Sequence, residues 1–276
     1  MPAESPNEFV IASRVRTVIV QQLAAGPTAT GELLGEIAAS ESAVYDALSS
    51  LAERGIARET GSESQSEGTW ALTAQGRIVA DSVEAWQATE SFLEIDPEYW
   101  QTHRVDVIPD PFRRRLSELG DYEVYRDGPG EPNRAEQVAV SRMAAAAAPD
   151  ITTPFYSMNH QQNVPDTPET RMLVTRAATD ISAQRYREGH REKLEDLPAV
   201  QMRLTACQFA SVVGDGFVLF GLPTVDADEP TLSDTSATLF SETESAVEWG
   251  TELFESLWER SDPMEPYMVE HHADVL

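Results

Sequence analysis

Apolar residues recur at i, i+3, i+4 and i+7 between Ser40 and Gly55, where Val44, Ala47, Leu48 and Leu51 form one stripe. Ser42, Tyr45, Asp46 and Ser49 repeat the spacing on the opposite side, so the run predicts a helix with one buried and one wet face. Ser40 stands where an N-cap is needed, and Gly55 where a left-handed residue would end the helix. Upstream, Leu33, Leu34 and Ile37 give residues 29–38 a second helical pattern, joined to Ser40 by a short alanine link. Val15, Val18, Ile19 and Leu23 predict a first helix over 8–25, behind a polar arm at 1–7. Downstream, 56–60 and 69–73 read as the strands of a hairpin around the polar tract 61–68, with Trp70 and Leu72 turned inward. Two tightly joined helices after a first one, followed by a hairpin, is the order of a winged helix-turn-helix.

Beyond the hairpin, Thr73 is placed to cap a helix that carries Val79, Val83 and Trp86 towards Leu93. Its apolar face exceeds what a small winged helix must cover, and it is expected to be a linker helix and a homodimer contact, the alternative being that it packs on its own C-terminal domain. Pro97, Pro109 and Pro111 then interrupt helical continuity. Helices are expected at 112–119, 136–148, 178–194 and 244–260, the last with Val247, Leu253, Phe254 and Leu257 facing inward. Strands are expected at 122–125, 150–156, 171–175, 200–204, 209–213, 217–222 and 235–240, with a hairpin turn at Gly214-Asp-Gly216. The predicted architecture is an α+β N-terminal winged helix-turn-helix followed by a C-terminal α/β domain with a mixed sheet. Its divisions are residues 1–86 for DNA binding, 87–110 for a linker helix and proline-containing connection, 111–262 for the α/β domain and 263–276 for a tail.

Charge alters how DNA would be held. The chain has 47 acids against 20 bases, a formal charge of −27, and Lys193 is its one lysine. Such a surface at 41% hydrophobic content looks like that of a protein from a salt-loving archaeon. An acidic disordered chain is excluded because the acids are spread among regular apolar repeats. Residues 1–86 contain five arginines and no lysine against twelve acids, a net charge of −7. Lys and Arg usually supply much of the affinity for phosphates, but in molar salt the Debye length is only about 3 Å. Double-stranded DNA is therefore an admissible partner if hydrogen bonds and groove fit carry recognition. The candidate contacts are Ser40, Ser42, Tyr45, Asp46 and Ser49 on the recognition helix, with Arg14, Arg16, Arg54 and Arg58 around it.

Little other chemistry is legible. Cys207 is the single cysteine, which excludes an intramolecular disulfide and fits a small core residue in a cytosolic protein. No segment approaches the roughly 18 consecutive apolar residues of a membrane span, and residues 1–25 carry Glu4, Glu8, Arg14 and Arg16 instead of a signal peptide. A soluble cytoplasmic protein is expected. Phosphate-binding glycine loops, nucleophile elbows and paired metal-binding histidines are missing from the sequence, so no catalytic residue, metal or cofactor is implied. Glu270-His-His-Ala-Asp274 has metal-ligand types but reads as a solvated tail. Arg187, His190 and Arg191, within a basic series that also includes Arg185 and Lys193, share a predicted helix and are the candidate site for a small anionic effector. Pairing with Glu188, Glu192, Glu195 and Asp196 is the alternative.

Two resemblances sharpen this reading. Gly26-Pro27, Leu48-Ser-Ser-Leu-Ala-Glu-Arg-Gly-Ile56 and Trp70-Ala-Leu-Thr-Ala-Gln-Gly76 resemble the landmarks of archaeal winged-helix transcription regulators. Further on, Ile108-Pro-Asp-Pro-Phe112, Leu116-Ser-Glu-Leu-Gly120, Gly216-Phe-Val-Leu-Phe-Gly221 and Glu244-Ser-Ala-Val-Glu-Trp-Gly-Thr-Glu-Leu-Phe254 resemble the middle-domain family named after the methanogenesis regulatory protein. Together they imply a transcription regulator with a C-terminal sensing or assembly domain. The other classes left open are a protein-interaction adaptor, favoured by the acidic recognition face, and an enzyme acting on an anionic metabolite.

Overall fold

In the computed structural model, which describes residues 4–60, 68–188, 199–227 and 237–275, two serines divide the first helical pattern. Ser5 caps α1 (Pro6–Ile11): its Oγ accepts from the Glu8 N–H, and the Glu8 carboxylate accepts from the Ser5 N–H. Ser13, extended at φ −138°, caps α2 (Arg14–Ala25) through the Arg16 N–H. The single helix expected over 8–25 is therefore two. Each serine satisfies an N–H group that a helix start leaves unpaired, and Phe9 and Val10 of α1 are buried.

β1 (Thr28–Ala29) leads into α3 (Thr30–Glu36), and the backbone becomes extended at Ile37, φ −89° and ψ 121°. α4 (Glu41–Glu53) starts at Ser40, whose Oγ accepts from the Ala43 N–H. It stops at Gly55, φ 68°, where the Gly55 N–H donates to the Ala52 carbonyl and the Ile56 N–H to the Leu51 carbonyl. Glycine adopts that conformation without strain, so the helix ends there. β2 (Ala57–Glu59) pairs with β3 (Thr69–Leu72) in the register Ala57↔Leu72, and β1 pairs with the other edge of β3. α5 (Ala74–Ile95) comes next, with Thr73 Oγ1 accepting from the Gly76 N–H in its first turn. Val44, Leu48 and Leu51 of α4 share one core with Ile19 and Leu23 of α2, Leu33 of α3, Ile56, Leu72 and Val83. These are the elements of a winged helix-turn-helix, and they lie in the first of two compact units, Met1–Ser91 and Phe92–Leu276.

The second unit is built around a mixed sheet. Its elements in chain order are α6 (Pro97–Thr102), a 3-10 segment (Phe112–Leu119), β4 (Glu123–Arg126), α7 (Arg134–Ala145), β5 (Asp150–Thr153), α8 (Met158–Asn163), β6 (Arg171–Val174) and α9 (Arg176–Arg187). β7 (Gln201–Leu204), β8 (Ala210–Gly214), β9 (Phe217–Gly221), β10 (Ala237–Ser241), α10 (Glu244–Glu259), β11 (Asp262–Pro263) and α11 (Met264–His271) complete it. The eight strands run in the order β11-β7-β6-β5-β8-β9-β10-β4. β5, β6 and β7 are parallel, because α8 and α9 carry the chain back between them. The remaining pairs are antiparallel, and Asp215-Gly216 closes the β8–β9 hairpin with Gly216 at φ 83°.

Alternation along β9 sends side chains to two cores. Val218 and Phe220 join Trp249 and Leu253 of α10, whereas Phe217 and Leu219 join Met143 of α7 and Met172 of β6. Burial on both faces explains why β9 and β10 are buried along their whole length. Burial also pushes the Cys207 thiol up to about 12, as expected of an unreactive core residue. The helix expected at 178–194 starts at Arg176 and extends to Arg187, and positions 189–198 lie outside the described residues. The stretch 263–276, expected as a tail, contains α11. Its Tyr267 hydroxyl donates to Asp180 Oδ1 at 2.7 Å, and His272 Nε2 lies 2.7 Å from the same oxygen. Long-range polar contacts of this kind leave no periodic signal in a sequence.

Candidate nucleic-acid interface

On α4, the stripe opposite the core presents Ser42, Tyr45, Asp46 and Ser49 to solvent, and Tyr45 is 52% exposed. A large aromatic side chain with a hydroxyl, left half in water on an otherwise well-packed helix, can stack on a sugar or base and donate one hydrogen bond. Ser42 and Ser49 add short hydroxyls that suit base edges or phosphates. Ser40 is exposed too, but its Oγ is engaged, accepting from the Ala43 N–H at 3.3 Å and lying 3.2 Å from Ser42 Oγ. Its hydroxyl starts the helix. The hairpin of β2 and β3 stands beside this assembly, anchored where Trp70 Nε1 donates to Thr30 Oγ1 at 3.2 Å. Its tip, 61–67, lies outside the described residues.

The four candidate arginines divide into two kinds. The Arg16 guanidinium lies 3.9 Å from the centroid of the Phe9 ring, and that of Arg54 lies 4.4 Å from it. Arg54 also donates to the Glu4 carbonyl and pairs with its carboxylate at 3.3 Å. Each cation over an aromatic face contributes roughly 0.5–2 kcal/mol, and together they fasten α1 to α2 and to the end of α4. Arg14 and Arg58 are exposed and make no ion pair among the described residues. Arg77, which the sequence pattern did not single out, is exposed in the first turn of α5. No spacing rule links Phe9 to Arg54, 45 positions later, so this use of two cations was hidden from the sequence.

Of the candidate effector residues, Arg187 is described, and its guanidinium is engaged in an ion pair. Arg187 donates twice to the Asp274 carboxylate, both at 2.6 Å, and its Nη2 lies 3.2 Å from His272 Nδ1. Asp274 in turn is held down at about 2 by that guanidinium. Arg185 pairs with Glu188 at 3.5 Å. His190 and Arg191 lie outside the described residues. Among the described residues, no group of three or more His, Cys, Asp or Glu side chains is placed to hold a metal ion, and no helix is long and apolar enough to cross a membrane.

The segment that runs from α7 through the sheet to the end of α10 carries the family likeness. Residues 135–260 match the family described as methanogenesis regulatory protein FilR1, middle domain. The FilR1 middle-domain match takes in the motifs at 216–221 and 244–254, while those at 108–120 precede it. No curated protein matches the chain in sequence. Among solved structures, it is similar to TrmBL2, an archaeal chromatin protein reported to show a novel mode of DNA binding, with 14% identity over 90% of this chain and 92% of that one and a TM-score of 0.36. A zinc-responsive MarR family member, ZitR of Lactococcus lactis, is 18% identical over 39% of this chain and 70% of its own, with a TM-score of 0.27. Nuc of Salmonella typhimurium, a phospholipase D family member, is 11% identical over 51% of this chain and 97% of its own, with a TM-score of 0.35.

Proposed function

We propose that this chain is a transcriptional regulator that binds double-stranded DNA as a homodimer in the cytoplasm, with α4 in the major groove and the FilR1-type unit as a sensing or assembly module. The observation that carries the reading is the face of α4. Four polar side chains at helical spacing are exposed there, on a helix whose opposite side is locked into the core of a winged helix-turn-helix. The regulatory family matched by residues 135–260 supports the same reading and a non-catalytic role.

The test is selection of binding sites by the full chain from a random duplex library in molar potassium chloride, followed by measurement of affinity for the enriched sequence. Tyr45→Ala should weaken binding about tenfold or more, since one good base contact contributes roughly 1–3 kcal/mol of discrimination. Ser49→Ala should weaken it less. Undiminished affinity in both variants would remove these residues as base readers. Failure to enrich any sequence would favour the adaptor reading, to which the exposed Glu41 and Asp46 lend support.

Dimerisation is assigned to α5. Ile78, Trp86 and Leu93 are 69%, 40% and 41% exposed, and their intervals of eight and seven residues keep them on one side of the helix. A second copy of the chain, laid along this stripe, would set two recognition helices on paired half-sites. Trp86→Glu should give a monomer by light scattering with an unchanged circular dichroism spectrum; a dimer that persists would place the interface elsewhere.

A further inference from the structure

We propose that the second unit binds a small, uncharged, largely apolar molecule carrying one hydroxyl group, in a cavity at the carboxyl ends of β5 and β6 walled by α9 and α11. As an effector site this rests on the sensing role given above to that unit; as a binding site it stands on the cavity itself.

The cavity measures about 120 Å³, and Met172, Val174, Ala178, Ala183, Met264 and Met268 give it an apolar wall. An apolar cavity of about 150 Å³ accepts benzene, so the body of the ligand is about one six-membered ring. Methionine side chains adapt to such a guest without a fixed shape. A second cavity of about 40 Å³ shares Thr153, Phe155 and His160 with the first and adds Glu136, Thr152 and Ser211. The apolar chamber thus adjoins a small polar one.

Two buried polar atoms mark the polar end. His160 Nε2 and Thr152 Oγ1 have no hydrogen-bond partner among the described residues. Leaving such groups unpaired is unfavourable, and native proteins seldom do it without a reason. His160 Nε2 stands 3.9 Å from Glu136 Oε1, too far for a direct hydrogen bond, while that oxygen accepts from Ser157 Oγ at 3.0 Å. One hydroxyl oxygen can lie within bonding distance of both, accepting from the imidazole N–H and donating to the carboxylate. No Lys or Arg among the described residues lines either cavity, and Glu136 would repel an anion. The ligand is therefore neutral, in contrast to the anionic effector expected from Arg187.

The place is also suitable. In sheets of parallel strands joined by helices, ligands sit beyond the carboxyl ends of the strands where the connections diverge. Here β5 has parallel β6 on one side and antiparallel β8 on the other. The α11 wall is tied to α9 by the Tyr267 and His272 contacts with Asp180 and by Arg187 with Asp274.

The experiment is fluorine NMR of the full chain titrated with 4-fluorophenol, fluorobenzene and 4-fluorobenzoate. Saturable binding of 4-fluorophenol, about tenfold tighter than that of the other two, is expected, one hydrogen bond to a charged group being worth roughly that factor. Ala183→Leu should abolish binding by filling the cavity. His160→Leu should narrow the preference for 4-fluorophenol over fluorobenzene, the bond to Glu136 remaining, without lowering the unfolding temperature, since it removes an unpaired polar atom. Absence of saturable binding to the wild-type chain, or binding unchanged in both variants, overturns the site. Binding of 4-fluorophenol that leaves affinity for the selected DNA unaltered overturns the effector role alone. A chain that binds the phenol but no DNA sequence overturns the regulator and leaves the site standing.

Discussion

Gly76→Ala is expected to destabilise the first unit by about 3 kcal/mol, the upper end of the usual cost of overpacking. A Cβ at this position would stand 2.0 Å from the Ile56 carbonyl oxygen, 3.0 Å from its carbon and 3.2 Å from Leu72 Cδ2. The oxygen cannot easily withdraw. It accepts from the Thr73 N–H at 3.0 Å and from Thr73 Oγ1 at 3.2 Å, so it joins the start of β2 to the start of α5. Relief of the clash must separate the hairpin from α5 and disturb the core beneath α4. In urea denaturation the midpoint should fall, and affinity for the selected DNA should fall with it. Gly35→Ala, in α3, is the control: nothing lies within 4 Å of its added methyl group, and helix propensity should make it neutral or stabilising by up to about 1 kcal/mol. Equal midpoints for Gly76→Ala and the wild type would mean that the backbone yields freely.

Trp249→Ala should cost the second unit about 3–5 kcal/mol, as large aromatic deletions in cores do. Trp249 is fully buried on α10, meets Phe220 of β9 edge to face at 5.4 Å between centroids, and donates from Nε1 to the Phe112 carbonyl at 3.2 Å. Its removal opens a cavity between helix and sheet and deletes the hydrogen bond to that carbonyl. Trp249→Phe keeps much of the aromatic packing and loses the hydrogen bond, so its cost should be smaller, about 1–3 kcal/mol. Near-ultraviolet circular dichroism and denaturant midpoints together measure the difference. If Trp249→Ala unfolds at the same denaturant concentration as the wild type, the core of this unit lies elsewhere.

Helices with a strong apolar stripe are legible in the sequence. Val44, Ala47, Leu48 and Leu51 are all buried on α4, and the polar residues between them are exposed as the spacing requires. The strands of the mixed sheet were equally legible as short apolar runs, two of them joined by Gly214-Asp-Gly216. Boundaries set by single polar contacts were not. Ser13 splits one apolar pattern into two helices because its hydroxyl reaches the Arg16 N–H, a competition that periodicity does not register. At the candidate interface, the pattern located exposed residues but could not separate Arg16 and Arg54, which lie over Phe9, from Arg14 and Arg58, which do not. That distinction depends on contacts between residues far apart in the chain. The cavity beside His160 was invisible for the same reason, since its walls come from β5, β6, α8, α9 and α11.

With Arg16 and Arg54 held against Phe9, the proposed regulator has few cations left to exchange for the counterions condensed on DNA. Affinity for arbitrary sequence comes almost wholly from that exchange. For such a regulator the bulk chromosome would be neither a sink that depletes the free protein nor a track along which it slides. Operators would be found by three-dimensional encounter, and their occupancy would follow the concentration of the protein rather than the amount of DNA in the cell.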